Sequence, residues 1–262
     1  MEGTLLENPR CAPASAQVVS IRVDATSYAD ATARILRWAQ FRESRCVCVA
    51  TVNNVIQACD HEDFRQIMSA TDLVTPDGMP LVWSLRLFGI RDASRVYGPD
   101  LTLFLLADAE RLHMPVAFYG GTPDVLQRLV SAVKARHPNL PVVFAYSPPF
   151  RPMAPEEDSR LTREINASGA GVVFVGLGSP KQERWMAAHR GSVRAAMVGV
   201  GAAFDFLSGS KPQAPRWMMR SGLEWLFRLI CEPRRLWRRY LTENPRFLLL
   251  LAVELMRRRA AK

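Results

Sequence analysis

Seven short runs rich in β-branched and apolar residues recur between residues 18 and 201, and between them lie stretches whose apolar residues repeat at helical spacing. Parallel neighbours cannot be joined by a hairpin, so such alternation commits the chain to strands linked by crossover helices and to a sheet covered on both faces. The runs are VVSIRV (18–23), CVCVATV (46–52), LVT (73–75), PVAFYG (115–120), PVVFAY (141–146), VVFVGLG (172–178) and AAMVGVG (195–201). The stretches read as helices are YADATARILRWAQ, NVIQACDHEDFRQIMSA, PLVWSLRLFG, DLTLFLLADAERL, PDVLQRLVSAVKARH, PEEDSRLTREINAS and PKQERWMAAHR. The expected architecture is an α/β fold: a Rossmann-like, mostly parallel sheet of six or seven strands sandwiched by helices, over residues 15–210. Residues 1–14 show neither period and are expected to be disordered, with no secretory signal among them. The proline-rich SPPFRPMAPEED (147–158) is expected to loop over one sheet edge.

Charge divides the chain differently. The net charge is +9, yet residues 216–262 hold twelve Lys and Arg against four Glu, a surplus of eight that leaves +1 for the other 215 residues. Residues 211–262 are therefore set apart as a basic helical appendage that meets something anionic. Trp217, Trp225, Trp237, Phe227, Tyr240 and several leucines alternate there with Arg, the composition of an interfacial amphipathic helix. The longest apolar run, Phe247–Val253, ends at Glu254 and is far short of the roughly 20 residues a spanning helix needs. If part of the appendage packs on the sheet domain instead, the 223–231 stretch is the part expected to do so. A nucleic-acid surface is the competing reading of Arg mixed with aromatics. The high leucine content favours an anionic membrane, and no nucleic-acid partner is expected.

In open parallel sheets, ligands bind beyond the carboxyl ends of the strands, where loops feed helix N-termini. The polar signals fall there: Thr51, Asn53 and Asn54 after one run, Asp77 after LVT, Gly120, Gly121 and Thr122 after PVAFY, GLGSPKQE (176–183) after VVFV, and Gly199, Gly201 and Asp205 after AAMV. The turns YGGTPD and GLGSPKQE, including Gly176 and Gly178, each lead to a proline near the first helical position, leaving free N–H groups suited to a phosphate or diphosphate. Either glycine turn alone could serve only close packing. Asp77 lies on a Pro-Asp-Gly turn, where on its own it reads as a helix cap. No GxGxxG follows the first run, which speaks against a nicotinamide cofactor. The four histidines are scattered, with His137 and His189 at helix ends and expected to be solvated, and no zinc spacing occurs. The five cysteines form no paired framework and read as reduced thiols. No Asp-x-Asp is present to hold a divalent ion across a diphosphate. Glu183 is expected to pair with Arg184 or solvent, and Asp100 to be a helix N-terminal acid.

The set TVNN (51–54), TPDGMPLVW (75–83), RVYGPDL (95–101), FYGGTPDVL (118–126), VGLGSPKQERW (175–185) and GVGAAFDFLSG (199–209) resembles the WecG/TagA/CpsF glycosyltransferases, glycosyltransferase family 26, over nearly the whole length. The resemblance implies a GT-E type Rossmann-like fold without a required metal or other cofactor. It implies inverting transfer of a hexose-type sugar from a UDP-sugar to a polyprenyl-diphosphate-linked saccharide in bacterial surface-polysaccharide synthesis. The location it implies is cytoplasmic, peripheral on the inner face of the cell membrane; apolar strand edges and a detachable appendage permit homo-oligomers. By similarity Asp77 occupies the general-base position, Thr51, Asn53 and Gln182 join it as catalytic residues, Arg95 meets diphosphate charge, and Asp205 meets nucleotide or sugar hydroxyls. Arg216, Arg220 and Arg228 are the appendage residues implied to close the site. Met79 departs from the glycine expected in that loop. The donor implied is N-acetylmannosamine, its uronic acid or glucose on UDP. The alternative kept from another class is a non-catalytic module that binds anionic membrane or nucleic acid through the appendage.

Overall fold

The computed structural model describes residues 12–260. Of the segment expected to be disordered, residues 1–11 lie outside the described residues. A six-stranded, fully parallel sheet in the order β4-β3-β8-β7-β5-β6 forms the centre. Its strands are β3 (Arg45–Ala50), β4 (Leu73–Pro76), β5 (Val116–Gly120), β6 (Val142–Tyr146), β7 (Val172–Gly176) and β8 (Ala196–Gly199). The first expected strand is instead a separate antiparallel hairpin, β1 (Ser15–Val18) and β2 (Ile21–Asp24), because Val19 takes a φ of 57° and reverses the chain.

Helices cover both faces. On one, Val47 and Val49 of β3, Phe118 of β5 and Phe174 of β7 meet the apolar sides of α1 (Tyr28–Gln40), α5 (Gly98–Arg111) and α6 (Pro123–Arg136). On the other, Cys48, Ala50 and Val74 meet α2 (Val52–Asp60), α3 (Glu62–Ala70), α4 (Met79–Leu87) and the hairpin, while Tyr119, Val173 and Met197 meet α7 (Pro155–Ser168) and α8 (Lys181–Ala188). The inner strands are almost wholly apolar because alternate residues face two cores, whereas the edge strand β6 leaves Val143 exposed. The long helix expected from residue 54 breaks at His61, whose extended backbone (φ −129°, ψ 109°) turns α3 away from α2.

After the short α9 (Ala203–Leu207), the appendage forms α10 (Arg216–Arg220), α11 (Glu224–Cys231) and the 28-residue α12 (Pro233–Ala260). The expected packing of 223–231 is present but slight, through Glu224 and the half-buried Phe227 beside Tyr97, and α12 packs more deeply. In α11 only Glu224 is buried and Ile230 is exposed, whereas Phe247 and Leu251 of α12 are buried beside the hairpin and α2. Arg246 forms a two-pronged ion pair with Asp60 at 2.5 and 2.7 Å, and Arg258 lies 3.9 Å over the Phe88 ring. The reason is spacing: Leu236, Phe247 and Leu251 share one side of the helix, and Trp237, Leu241 and Leu248 another that faces outward. No helix among the described residues is long and apolar enough to cross a membrane.

Candidate active site

From β3 the chain steps outward to β4, then crosses to build the other half of the sheet, so its direction of progress reverses between β3 and β8. Loops at such a switch point diverge and leave a crevice at the carboxyl ends. Two cavities lie along this rim.

The first, of about 120 Å³, is lined by Thr51, Asn53, Asp77 and Arg95 from the sheet domain and by Glu224, Arg228 and Glu243 from the appendage. Asp77 is no helix cap: Gly78 takes the N-cap position of α4, and the Asp77 amide donates to Ala50 O at 2.9 Å, fixing the loop against β3. Its carboxylate instead accepts from Arg95 Nη2 at 2.9 Å, with both side chains only 16% exposed. Arg95 is clamped from several sides. Its Nε donates to the Asp77 carbonyl, its Nη1 to Met219 O at 3.3 Å and its Nη2 also to Glu224 Oε2 at 2.5 Å, while its plane lies 4.4 Å from the Tyr97 ring. Burial pushes the Asp77 carboxyl up to about 6; Arg95 opposes the rise and Glu224 adds to it. A carboxyl titrating near neutrality in a cleft is suited to move a proton.

Thr51 and Asn53 open α2. The Thr51 amide and hydroxyl both donate to Asn54 Oδ1, at 2.9 and 3.2 Å, so Asn54 does secure the helix start. Asn53 Nδ2 reaches Ser179 Oγ at 3.4 Å, linking the β3 loop to the β7 loop. Gln182, buried, accepts from the Gly201 amide at 3.0 Å and so ties the β7 loop to that of β8.

Beyond these links lies the second cavity, about 940 Å³, walled by Gly121 and Thr122 after β5, Gly176 and Gly178 after β7, Gly201 and Asp205 after β8, and the 148–155 loop. Gly120 sits just behind the wall, where a Cβ would come within 2.6 Å of the Gly176 backbone; Gly176 in turn leaves room for the Phe204 ring. Thr122 Oγ1 accepts from Val125 N at 3.3 Å and caps α6, so this helix start and that of α8 both border the cavity. Tyr119, Trp185 and His189 stack in series at 4.3 and 4.1 Å along one wall. Asp205 pairs with Lys211 at 3.0 Å.

Thus Asp77, Thr51, Asn53, Arg95 and Arg228 converge on one chamber, and Gly121, Thr122, Gly176, Gly178 and Asp205 on its neighbour; Gln182 lines neither and is buried behind Gly201, which borders the second. Arg216 does not join them: it pairs with Asp100 at 3.1 Å, at the start of α5. The Arg220 side chain lies outside the described residues.

Three expectations are corrected. Glu183 pairs with neither Arg184 nor solvent: it is buried, accepts from Asn54 Nδ2 and Gln182 Nε2 at 3.1 Å each, and burial raises its pKa. Arg184 turns outward to Asp63. His137 and His189 are buried rather than solvated, because each ends a helix against a carboxylate of a neighbouring one, Glu110 at 2.8 Å and Asp158 at 3.1 Å. Glu224, a first-turn acid of α11, is the site residue the sequence reading missed; only its proximity to Trp225 and Arg228 in the appendage hinted at it.

An open parallel sheet that gathers polar side chains at its carboxyl ends around one shielded acid has the build of an α/β group-transfer enzyme. The glycosyl transferase WecG/TagA/CpsF family model matches residues 16–261, and the chain belongs to that family. It is 32% identical over 197 residues, 74% of this chain and 75% of the relative, to an N-acetylglucosaminyldiphosphoundecaprenol N-acetyl-beta-D-mannosaminyltransferase of Bacillus subtilis (strain 168).

Proposed function

We propose that the protein is an inverting glycosyltransferase that moves a sugar from a UDP-sugar to a polyprenyl-diphosphate-linked saccharide during cell-envelope polysaccharide synthesis. The observation that carries this reading is Asp77, shielded at the rim with its carboxyl near 6, beside a chamber of nucleotide size. Small-molecule sites run to roughly 300–1,000 Å³, so the larger cavity suits a sugar nucleotide. The helix starts of α6 and α8, the glycine turns and Lys181 favour its diphosphate. Asp205, on the wall of the same cavity, takes a ribose or sugar hydroxyl in this reading. The acceptor enters from the smaller chamber, beneath the appendage.

In the reaction, an acceptor hydroxyl oxygen bonds to the anomeric carbon from the face opposite UDP. The bond from that carbon to the diphosphate oxygen breaks and inverts the centre. The hydroxyl proton passes to Asp77, and the electron pair leaves on UDP. Thr51, Asn53 and Gln182 orient the reacting sugars, the α6 and α8 helix starts with Lys181 offset the departing charge, and Arg95 and Arg228 in the smaller chamber face the acceptor's diphosphate. This assigns charge balance to side chains and helix ends rather than to a divalent ion, so turnover is expected to persist in EDTA. The relative's transferred group makes UDP-N-acetylmannosamine the first donor to test and lipid-diphosphate-linked N-acetylglucosamine the first acceptor. With these, Asp77→Ala is expected to cut UDP release by about 10²–10⁴-fold. Full turnover in that variant would reject the base assignment.

The outward face of α12, with Trp237, Leu241 and Leu248 exposed among arginines, supports peripheral attachment to an anionic membrane, where the lipid acceptor resides.

A further inference from the structure

Glu224 is a buried carboxylate of the small chamber to which the proton-transfer scheme above gives no role. It comes from α11, some 150 residues beyond Asp77 in the chain, yet both carboxylates bond the same nitrogen of Arg95, Asp77 at 2.9 Å and Glu224 at 2.5 Å. One guanidinium shared by two shielded carboxylates cannot satisfy both fully, and a like charge held close disfavours ionisation of its neighbour. We propose that Glu224 is a positioning residue for glycosyl transfer: by occupying part of Arg95 it limits the share of that cation Asp77 receives, so the strength of the base depends on α11 being seated. The proposal rests on the reading of Asp77 as the base.

The surroundings restrict what else could set the base. The charged groups lining the chamber are Arg95 from the loop before α5, Glu224 and Arg228 from α11, and Glu243 from α12. The titratable phenols nearby are Tyr240, which lines the chamber from α12 with its ring edge-on to Trp225, Tyr97, under the Arg95 plane, and Tyr28 of α1, whose hydroxyl accepts from the Tyr97 amide at 3.0 Å. Burial and the two carboxylates hold the Tyr97 phenol neutral, and burial keeps that of Tyr28 neutral as well, its pKa pushed up to about 12. Arg95 is immobilised by the Asp77 and Met219 carbonyls, so it cannot swing to serve one carboxylate alone. Glu224 and Arg228 act on Asp77 in opposite directions, and both come from α11. Seating or lifting this one helix therefore changes the field at the base without altering Asp77 or its loop.

The test is the pH dependence of kcat/KM for the intact protein, with UDP release as readout, in the wild type, Glu224→Gln, Glu224→Asp and Asp77→Ala. Glu224→Gln keeps the shape and removes the charge. Its acid limb is expected to move down by about one pH unit, because Asp77 loses a like charge and gains more of Arg95. Turnover on the alkaline plateau is expected to fall several-fold, since a weaker base takes the proton less readily. Glu224→Asp keeps the charge and is expected to leave the limb in place. A limb unmoved in Glu224→Gln, or moved equally in both Glu224 variants, would overturn the proposal and leave Glu224 an anchor for the appendage. Complete loss of turnover in folded Glu224→Gln would overturn it too, by making Glu224 a reacting group. Turnover surviving in Asp77→Ala strikes the base assignment itself, whereas an inactive Asp77→Ala beside an unmoved limb strikes only the role of Glu224.

Discussion

Asp77 carries a carboxyl held near 6 mainly by burial, with Glu224 reinforcing and Arg95 opposing the rise. A base must be unprotonated to accept a proton, so kcat/KM in the wild type is expected to climb as pH rises through about 6 and then level off; a profile still flat down to pH 4 would contradict this assignment. Gly120 makes a prediction about stability instead. Its φ of +126° and the 2.6 Å approach of any Cβ to the Gly176 backbone mean that Gly120→Ala should cost about 3 kcal/mol, read as a lower denaturant midpoint. That Thr51, Asn53 and Asp77 would meet was legible in the sequence because strand-end loops of a parallel sheet share one rim, whereas the roles proposed for them and for Gln182 come from the family resemblance. Glu183 was not legible. Its neighbour Arg184 looked like a partner, and only the approach of Asn54 and Gln182 in three dimensions shows the carboxyl turned inward. Nor was Glu224, which faces the base across a long sequence separation that no periodicity records.

Helix α12 is a structural member of the domain as well as the bearer of its basic surface. Phe247 is 1% exposed within the core beside α2, α4 and the hairpin, so Phe247→Ala is expected to destabilise the whole protein by about 3–5 kcal/mol, seen in denaturant unfolding. By contrast α11 buries only Glu224 and is held chiefly through the Arg95 cluster and the partly buried Phe227. Its backbone amides should therefore exchange with solvent faster than those around Phe247 and Leu251, and equal protection would argue that the two helices open together. At this scale the sequence revealed the six central strands through their unbroken apolar runs. It concealed the β1–β2 reversal, because Val19 is an unusual residue to place at positive φ, and the break at His61, because the apolar period continues across it.

Across the whole molecule, a nearly neutral sheet domain carries a strongly basic helical flank whose exposed Trp217, Trp237, Leu241 and Leu248 lie among arginines. Each Arg near an anionic bilayer contributes about 1 kcal/mol, and salt screens that term. Co-sedimentation with phosphatidylglycerol-containing vesicles should exceed that with phosphatidylcholine alone and weaken as salt rises; equal binding to both would leave only apolar insertion. In the proposed reaction the donor lies in the larger chamber and the base in the smaller, along one rim of the sheet where Asn53 reaches Ser179 between the two loops. The most direct measurement is a crystal structure of the protein with UDP bound. The account predicts the diphosphate against the Gly176–Gly178 turn, with its terminal phosphate directed toward Gln182 and the open side facing Asp77. UDP bound away from the glycine turns, or lying so that Asp77 falls on the leaving-group side, would contradict it.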